Sequence, residues 1–197
     1  TIVGYTTKNS GGVPDGFKNY FILRFDHDFT YMGCVEDGKL SDGKTVSTCN
    51  HAIAVVGFHT KQGEQVNVQV ASSFISNEQA LRNLKEVEGK TFDEVKSEGR
   101  KEWNNILGRI EVEDNNIDHL RTFYSCLYRS VLFPRTFYEL DEQGNPVHYS
   151  PYNGKVLPGY LFTDTGFWDT FRSLFPLLNL VYPSMNEKMQ AGLVNAY

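Results

Sequence analysis

The chain has 197 residues, of which 40% are hydrophobic and 14% aromatic, and its formal net charge is −5. Its basic residues are scattered, which argues against a nucleic-acid-binding surface because such a surface needs clustered Lys and Arg. The longest apolar stretch, residues 159–183, contains Asp164, Asp169 and Arg172 and is therefore not expected to span a membrane.

Residues 1–76 are predicted to form β-structure. Runs rich in aromatic and β-branched residues lie at 20–25, 51–58 and 66–74. Turn signals containing Asp-Gly lie between them, for example at 36–39. Strands joined by short turns, with no helices between them, predict an antiparallel sheet of the sandwich type.

Helical patterns begin after Ser76. Ser76 is predicted to cap a first helix, and Thr91 with Glu94 forms a capping box for a second helix that ends near Gly108. We therefore place a domain boundary near residue 76 and interpret residues 77–113 as a helical linker.

A third helix is expected from about residue 116 to residue 133, where Pro134 stops it. Residues 134–162 are predicted to form a loop with hairpin character, since 141–146 is a strong turn signal. This loop is long and rich in tyrosine, so we expect it to have a role beyond connecting two helices.

The apolar stretch 159–183 is predicted to be a helix that is capped by Thr163 or Asp164, apolar nearly all round and therefore buried. Ser184 is predicted to cap a last helix with these residues in register: Met185, Met189, Leu193 and Tyr197. Because the chain opens with a strand-like run and stops within a helix pattern, we expect it to be a piece of a longer protein.

Common catalytic motifs are missing from the sequence. There is no Gly-x-Ser-x-Gly elbow, no Walker motif and no dinucleotide fingerprint, and the five histidines form no pair at metal-ligand spacing. Asp26-His27-Asp28 is interpreted as a solvated strand end. Cys34 and Cys49 could form a disulfide if their strands are neighbours.

The segment from Trp168 to Arg172 is the strongest candidate for a binding site. Asp169 and Arg172 are three residues apart on a helix predicted to be buried, so they must pair or face a polar cavity. In one interpretation they form an internal ion pair and Trp168 fills the core. In the other, the Trp168 indole packs on a sugar ring and Asp169 accepts hydrogen bonds from its hydroxyls.

The same segment carries a family resemblance. The run 164–172, DTGFWDTFR, followed by Phe-Pro-Leu at 175–177, resembles the signature of glycoside hydrolase family 92, the exo-acting α-mannosidases. Residues 123–129 with Phe133-Pro134 resemble that family's helix before the long loop, and residues 72–107 resemble its sheet-to-helix linker.

This resemblance implies an α+β chain in two parts. Residues 1–76 are expected to be the C-terminal part of an N-terminal β-sandwich domain, and residues 77–113 the helical linker. Residues 114–197 are expected to be the truncated start of an (α/α)6-barrel catalytic domain.

The resemblance also implies a function, the removal of terminal α-linked mannose, of α-1,2 type, from mannose-capped glycans with inversion and with calcium. Trp168 and Asp169 match the motif that binds substrate, and Arg172 would orient Asp169. In the family the general acid, the general base and most calcium ligands belong to later barrel loops, and no position here matches them. The chain alone is therefore expected to be inactive, and by analogy the enzyme is expected to be secreted or periplasmic.

Two other interpretations stay open. One is a non-catalytic carbohydrate-binding or scaffold protein of the same architecture, and the other is a different (α/α)6 glycosidase with another linkage preference. The next few hundred residues of the reading frame would separate the first from an enzyme, and a disaccharide panel would identify the second. The sequence assigns no metal ligands and no oligomeric state.

Overall fold

The computed structural model describes residues 1–196 and forms two compact units. The first unit combines residues 1–6 with 19–84, and the second combines residues 7–18 with the chain from residue 85 onwards. The first unit is mainly β-structure, whereas the second is mainly helical with a small β region.

Two antiparallel sheets make up most of the first unit. Its strands, in chain order, are β1 (Ile2–Thr6), β2 (Asn19–Phe25), β3 (Tyr31–Glu36), β4 (Lys39–Asp42), β5 (Ala52–Gly57) and β6 (Val68–Ser73). One sheet has the order β1-β2-β6 and the other β4-β3-β5, with antiparallel pairing throughout. The predicted antiparallel structure is confirmed, and β2, β5 and β6 lie at the three predicted runs.

Strands β3 and β4 are additional to the sequence prediction. They form a hairpin around Asp37-Gly38, where the two φ angles are 47° and 87°. Positive φ at both turn residues matches the twist of the flanking strands and suits an Asp-Gly turn. The sequence predicts the turn, whereas Met32 and Gly33 weaken the strand pattern of β3.

Helix α1 (Asn77–Leu84) packs against β2 and β6 and completes the first unit. Leu84 and Ile22 are buried between these elements, at 1% and 3% exposure. The Oγ of Ser76 accepts the backbone N–H of Gln79 at 3.1 Å, so the predicted cap is confirmed. This helix therefore belongs to the first compact unit, although it begins the predicted linker.

The second unit contains helices α2 (Phe92–Leu107), α3 (Ile117–Ser130), α4 (Phe167–Thr170), α5 (Leu174–Val181) and α6 (Pro183–Asn195). The predicted capping box is confirmed, because Thr91 accepts the N–H of Glu94 and the Glu94 carboxylate accepts the N–H of Thr91 at 2.7 Å. Helix α3 begins near the predicted residue 116 and ends at Ser130, before the predicted residue 133. Its cap, Asn116, was not predicted.

A small β region lies between α3 and α4. Its strands are β7 (Arg135–Thr136), β8 (Glu139–Leu140), β9 (Pro146–Tyr149), β10 (Val156–Pro158) and β11 (Phe162–Thr163). Strands β8, β9 and β10 form an antiparallel sheet, and β7 pairs with β11. The Asp141 carboxylate accepts the N–H groups of Gln143 and Asn145, at 2.9 and 2.8 Å. The predicted hairpin character is confirmed.

The core of the second unit lies where α3, α5 and α6 meet. Leu127, Leu178, Tyr182 and Met189 are buried together there. The Tyr182 hydroxyl donates a hydrogen bond to the carbonyl of Ile106 at 3.0 Å, which joins the end of α2 to the junction of α5 and α6. This core fixes the position of α5, the helix that follows the candidate binding segment.

The prediction of one long buried helix within residues 159–183 is wrong. The stretch contains β11, α4 and α5, with turns between them. The interruption within the predicted helix lies between Thr170 and Leu174, where Ser173 has a φ angle of −126°. Trp168 and Leu180 are 89% and 82% exposed, so residues 1–196 alone do not bury this segment all round.

The predicted caps in this region are wrong as well. Thr163 lies in β11, and no side chain within residues 1–196, including that of Asp164, caps α4. Pro183 rather than Ser184 opens α6. Proline suits the first helical position because its N–H would have no partner there and its φ is already helical. Tyr197, predicted to be in register in the last helix, lies outside the described residues.

Candidate functional site

The candidate binding segment leads from β11 through α4 to α5. Within α4, the N–H of Asp169 donates to the carbonyl of Gly166 at 2.6 Å, and the Thr170 hydroxyl donates to the same carbonyl at 3.3 Å. The ring of Phe167 lies 5.3 Å from the ring of Phe175 in α5. Helix α4 is therefore a single turn, and among the described residues the contact between Phe167 and Phe175 anchors it to α5.

Trp168 projects from this turn with 89% of its surface exposed. Within residues 1–196 Trp168 therefore does not fill the core, and its role stays a prediction. An exposed indole offers an apolar face that can pack against the C–H face of a sugar ring, while its N–H stays free to donate a hydrogen bond. This geometry is compatible with the sugar-binding interpretation of the segment, which stays a prediction.

The Asp169 carboxylate is exposed, and among residues 1–196 it forms no hydrogen bond or ion pair. The internal ion pair with Arg172 is not formed, because the Arg172 guanidinium instead lies over the ring of Phe171, 5.2 Å from its centroid. Asp169 thus keeps its acceptor capacity for a ligand. The described residues show no contact through which Arg172 would orient Asp169, and that role stays a prediction.

An ion pair missed by the sequence analysis lies at the start of the segment. The Arg135 Nε donates to a carboxylate oxygen of Asp164, and this hydrogen bond raises the pKa of the guanidinium. Arg135 is the strand partner of Thr163, the residue immediately before Asp164. Arg135, which follows Pro134, could have indicated a partner for an acidic residue. The sequence analysis did not predict this ion pair because it interpreted Asp164 as a helix cap.

A second charged cluster lies in the first unit, at the end of β2. His27 contacts Asp26 through Nδ1 at 2.6 Å and Glu64 through Nε2 at 3.2 Å. The Asp26 carboxylate also accepts both the backbone N–H and the amide of Asn67, at 3.0 and 2.7 Å. Sequence analysis interpreted Asp26-His27-Asp28 as a solvated strand end and did not predict these long-range partners.

Hydrogen bonding shifts the titration of this cluster. The bonds to Asp26 and Glu64 raise the pKa of His27, and the bonds from His27 and Asn67 lower the pKa of Asp26 to about 2. A neutral imidazole has one N–H, so donation to both carboxylates requires the imidazolium form. The charged hydrogen bonds of His27 thus connect the end of β2 to the turn around Glu64.

The cysteines are free thiols. The Cys34 Sγ donates to the carbonyl of Lys44 at 3.2 Å, and Cys49 lies 3.9 Å from the Ser47 hydroxyl. The disulfide between Cys34 and Cys49 that the sequence left open is therefore not formed in this structure.

One open groove, of about 420 Å³, runs along α3. It is lined by Arg121, Tyr124, Ser125, Tyr128 and Arg129. These side chains repeat at helical spacing along one exposed face, and the Tyr124 hydroxyl is already bound to the Ile110 carbonyl at 3.1 Å. The groove has basic and aromatic surface but no buried polar atom that points to a ligand.

The described residues contain neither a cluster of metal-binding side chains nor a membrane-spanning helix. No group of three or more His, Cys, Asp or Glu side chains within residues 1–196 could hold a metal ion. No helix in this part of the chain combines the length and the apolar character that a membrane crossing needs.

Two curated family models match the chain. The glycosyl hydrolase family 92 N-terminal domain matches residues 1–73, and the family 92 catalytic domain matches residues 79–197. Among curated proteins, a protein of Arthroderma benhamiae described as an uncharacterized secreted glycosidase is 32% identical over 78 residues, which are 37% of this chain and 10% of that protein.

Solved structures give the same result. An inverting mannosidase of family GH92 from Bacteroides thetaiotaomicron VPI-5482 is 46% identical with a TM-score of 0.95, covering 99% of this chain and 27% of the mannosidase. A family GH92 α-mannosidase of Bacteroides thetaiotaomicron is 28% identical with a TM-score of 0.79, covering 95% of this chain and 26% of that protein. The chain thus spans about a quarter of the length of these relatives.

These matches confirm the predicted fold class, the end of an antiparallel β-sandwich followed by a helical linker and the first helices of an (α/α)6 barrel. The catalytic-domain model alone covers more than half of the residues. The chain belongs to glycosyl hydrolase family 92.

Proposed function

We propose that this chain is part of an exo-α-mannosidase that removes terminal α-linked mannose from mannose-capped glycans. The proposal is carried by the exposed Trp168 and Asp169 of α4, in a chain 46% identical over 99% of its length to an inverting mannosidase. An indole face beside an unpaired carboxylate can hold a pyranose ring by packing and by hydrogen bonds to its hydroxyls. Trp168 and Asp169 are the proposed substrate-binding residues.

The proposed reaction inverts the anomeric configuration, with α-1,2 linkages as the first substrates to test. Inversion uses two carboxyl groups roughly 6.5–9.5 Å apart, one protonating the leaving oxygen and the other activating water. We assign neither role to a residue of this chain. Both groups are proposed to lie in the rest of a longer parent enzyme, and this chain supplies part of the sugar-binding wall.

Calcium is proposed as a cofactor of the parent enzyme. Calcium takes about six to eight oxygen ligands, many of them carboxylates. Residues 1–196 hold no group of three or more His, Cys, Asp or Glu side chains that could bind a metal ion, so we assign no calcium ligand to a residue of this chain. Most of the ligands are proposed to lie outside this chain.

The parent enzyme is proposed to act outside the cytoplasm, as a secreted or periplasmic protein. The description of the Arthroderma benhamiae relative as a secreted glycosidase supports this. Cell fractionation with an antibody against the chain tests it, and signal confined to the cytoplasm would contradict it.

The function is tested by comparing the parent enzyme with this chain on α-1,2-mannobiose. The parent is expected to release mannose and to lose turnover when a chelator removes calcium, and this chain alone is expected to be inactive. A parent that binds the disaccharide without cleaving it would indicate a carbohydrate-binding or scaffold protein instead. A panel of differently linked disaccharides then measures linkage preference.

A further inference from the structure

Asp164 has an unusual backbone conformation for its position. Among the described residues other than glycine, only Asp37 and Asp164 have positive φ, at 47° and 64°. Asp37 belongs to the hairpin turn between β3 and β4, where such angles are expected. Asp164 lies between β11 and α4, where no hairpin requires it, so its conformation calls for another explanation.

The ion pair with Arg135 explains how this conformation is held. Arg135 and Thr163 are partners in the β7–β11 pair, so the arginine side chain starts beside the residue that precedes Asp164. Its Nε donates to the Asp164 carboxylate. The carboxylate is thereby fixed to the strand pair while the backbone turns away toward α4. Aspartate tolerates the left-handed region better than most residues do.

Few other described interactions orient α4. The helix has four residues and no side-chain cap, and its bonds to the Gly166 carbonyl are internal to the turn. The contact between Phe167 and Phe175 anchors one side. The angle between β11 and α4 therefore depends on the backbone at Asp164.

We infer that Asp164 is a positioning residue, which, paired with Arg135, sets the direction in which α4 presents Trp168 and Asp169 to the sugar. The inference rests on the proposed function, because it assigns Trp168 and Asp169 to the same binding site. Asp164 itself need not touch the substrate. Its effect is exerted through the orientation of the two side chains that follow it.

The first test measures hydrolysis of α-1,2-mannobiose by the parent enzyme. Asp164→Asn keeps a residue that tolerates the left-handed region but removes the charge, and Arg135→Gln removes the partner. Each is expected to lower kcat/KM by about tenfold to a hundredfold, because small misplacements of substrate-holding groups have effects of this size. The double variant is expected to lose no more than either single variant, since both break one interaction.

Lys90→Gln is the matched control. It breaks another partly exposed ion pair of the second unit, the 2.7 Å contact between Lys90 and Glu98, away from α4. It is expected to leave kcat/KM unchanged. Thermal unfolding is measured for every variant, and a loss of activity that simply followed a lower melting temperature would overturn the positioning role.

The second test uses the 197-residue chain and needs no activity. The sequence has two tryptophans, so Trp103→Phe leaves Trp168 as the single indole fluorophore. In this background, Asp164→Asn is expected to increase the fast motion of Trp168 in time-resolved anisotropy, and Lys90→Gln is not. If Asp164→Asn left the motion unchanged, the inference would be overturned. A parent enzyme that cleaves no α-mannoside would refute the proposed function, whereas the anisotropy would still decide the role of Asp164.

Discussion

Replacing Asp169 by Asn is expected to impair catalysis by the parent enzyme without weakening the fold. The Asp169 carboxylate is exposed and forms no hydrogen bond or ion pair within residues 1–196. The substitution therefore breaks no described interaction, and the free energy of unfolding should change by no more than about 0.5 kcal/mol. Because Asn has nearly the same volume, the variant isolates the effect of the charge.

The expected loss of activity follows from the hydrogen bonds that the carboxylate would accept. A hydrogen bond to a charged group contributes about 1.5–3 kcal/mol. Since about 1.4 kcal/mol corresponds to a factor of ten, kcat/KM for an α-mannoside should fall by about 10- to 150-fold.

The assay measures initial rates on α-1,2-mannobiose below KM, together with thermal unfolding of the same preparations. Asp93→Asn is the matched control, because Asp93 is also an acidic residue in the first turn of a helix, α2. It should leave kcat/KM unchanged. The reasoning is refuted if Asp169→Asn lowers the melting temperature but leaves kcat/KM as in the wild type, since the residue would then act in folding only.

Four further substitutions test other parts of the account. Trp168→Ala should lower kcat/KM of the parent enzyme by about tenfold or more through lost apolar contact. It should change the melting temperature of the 197-residue chain little, because the indole is 89% exposed there. His27→Gln should remove a pH dependence of the free energy of unfolding. Because the pKa of His27 is raised in the folded protein, its stabilising contribution is complete below pH 6.5, the usual pKa of histidine, and is lost as the pH rises through the raised pKa. Unfolding curves measured across this range would show a fall in the wild type that the variant lacks. Thr91→Ala should cost about 0.5–2 kcal/mol in denaturant unfolding through loss of the α2 cap. Tyr182→Phe should cost about 0.5–1.5 kcal/mol, because the bond to the Ile106 carbonyl is lost; no change would mean that water replaces it.

Local signals in the sequence predicted much of the fold. The caps at Ser76 and Thr91 depend on residues within a few positions, and the structure has both of them. The run of β-branched and aromatic residues along 66–74 likewise predicted β6. Predictions of this kind are correct because both partners of the stabilising interaction lie within the same short stretch of sequence.

The failures occurred where a distant partner overrides the local pattern. The periodic apolar residues of 159–183 predicted one helix, but the helix is interrupted between Thr170 and Leu174. The predicted cap Asp164 is instead bound to Arg135, which is far away in sequence and could not be predicted from periodicity. The same holds for His27, whose second partner is Glu64. In the candidate site, the sequence identified Trp168 and Asp169 through their motif, whereas their exposure became visible only in three dimensions.

The central claim, that the chain forms part of an inverting α-mannosidase, is tested most directly by proton NMR of the parent enzyme with α-1,2-mannobiose. The account predicts that the mannose set free from the non-reducing end appears first as the β anomer, before mutarotation equilibrates it. Release of the α anomer first, or no release of mannose under calcium-replete conditions, would contradict the account.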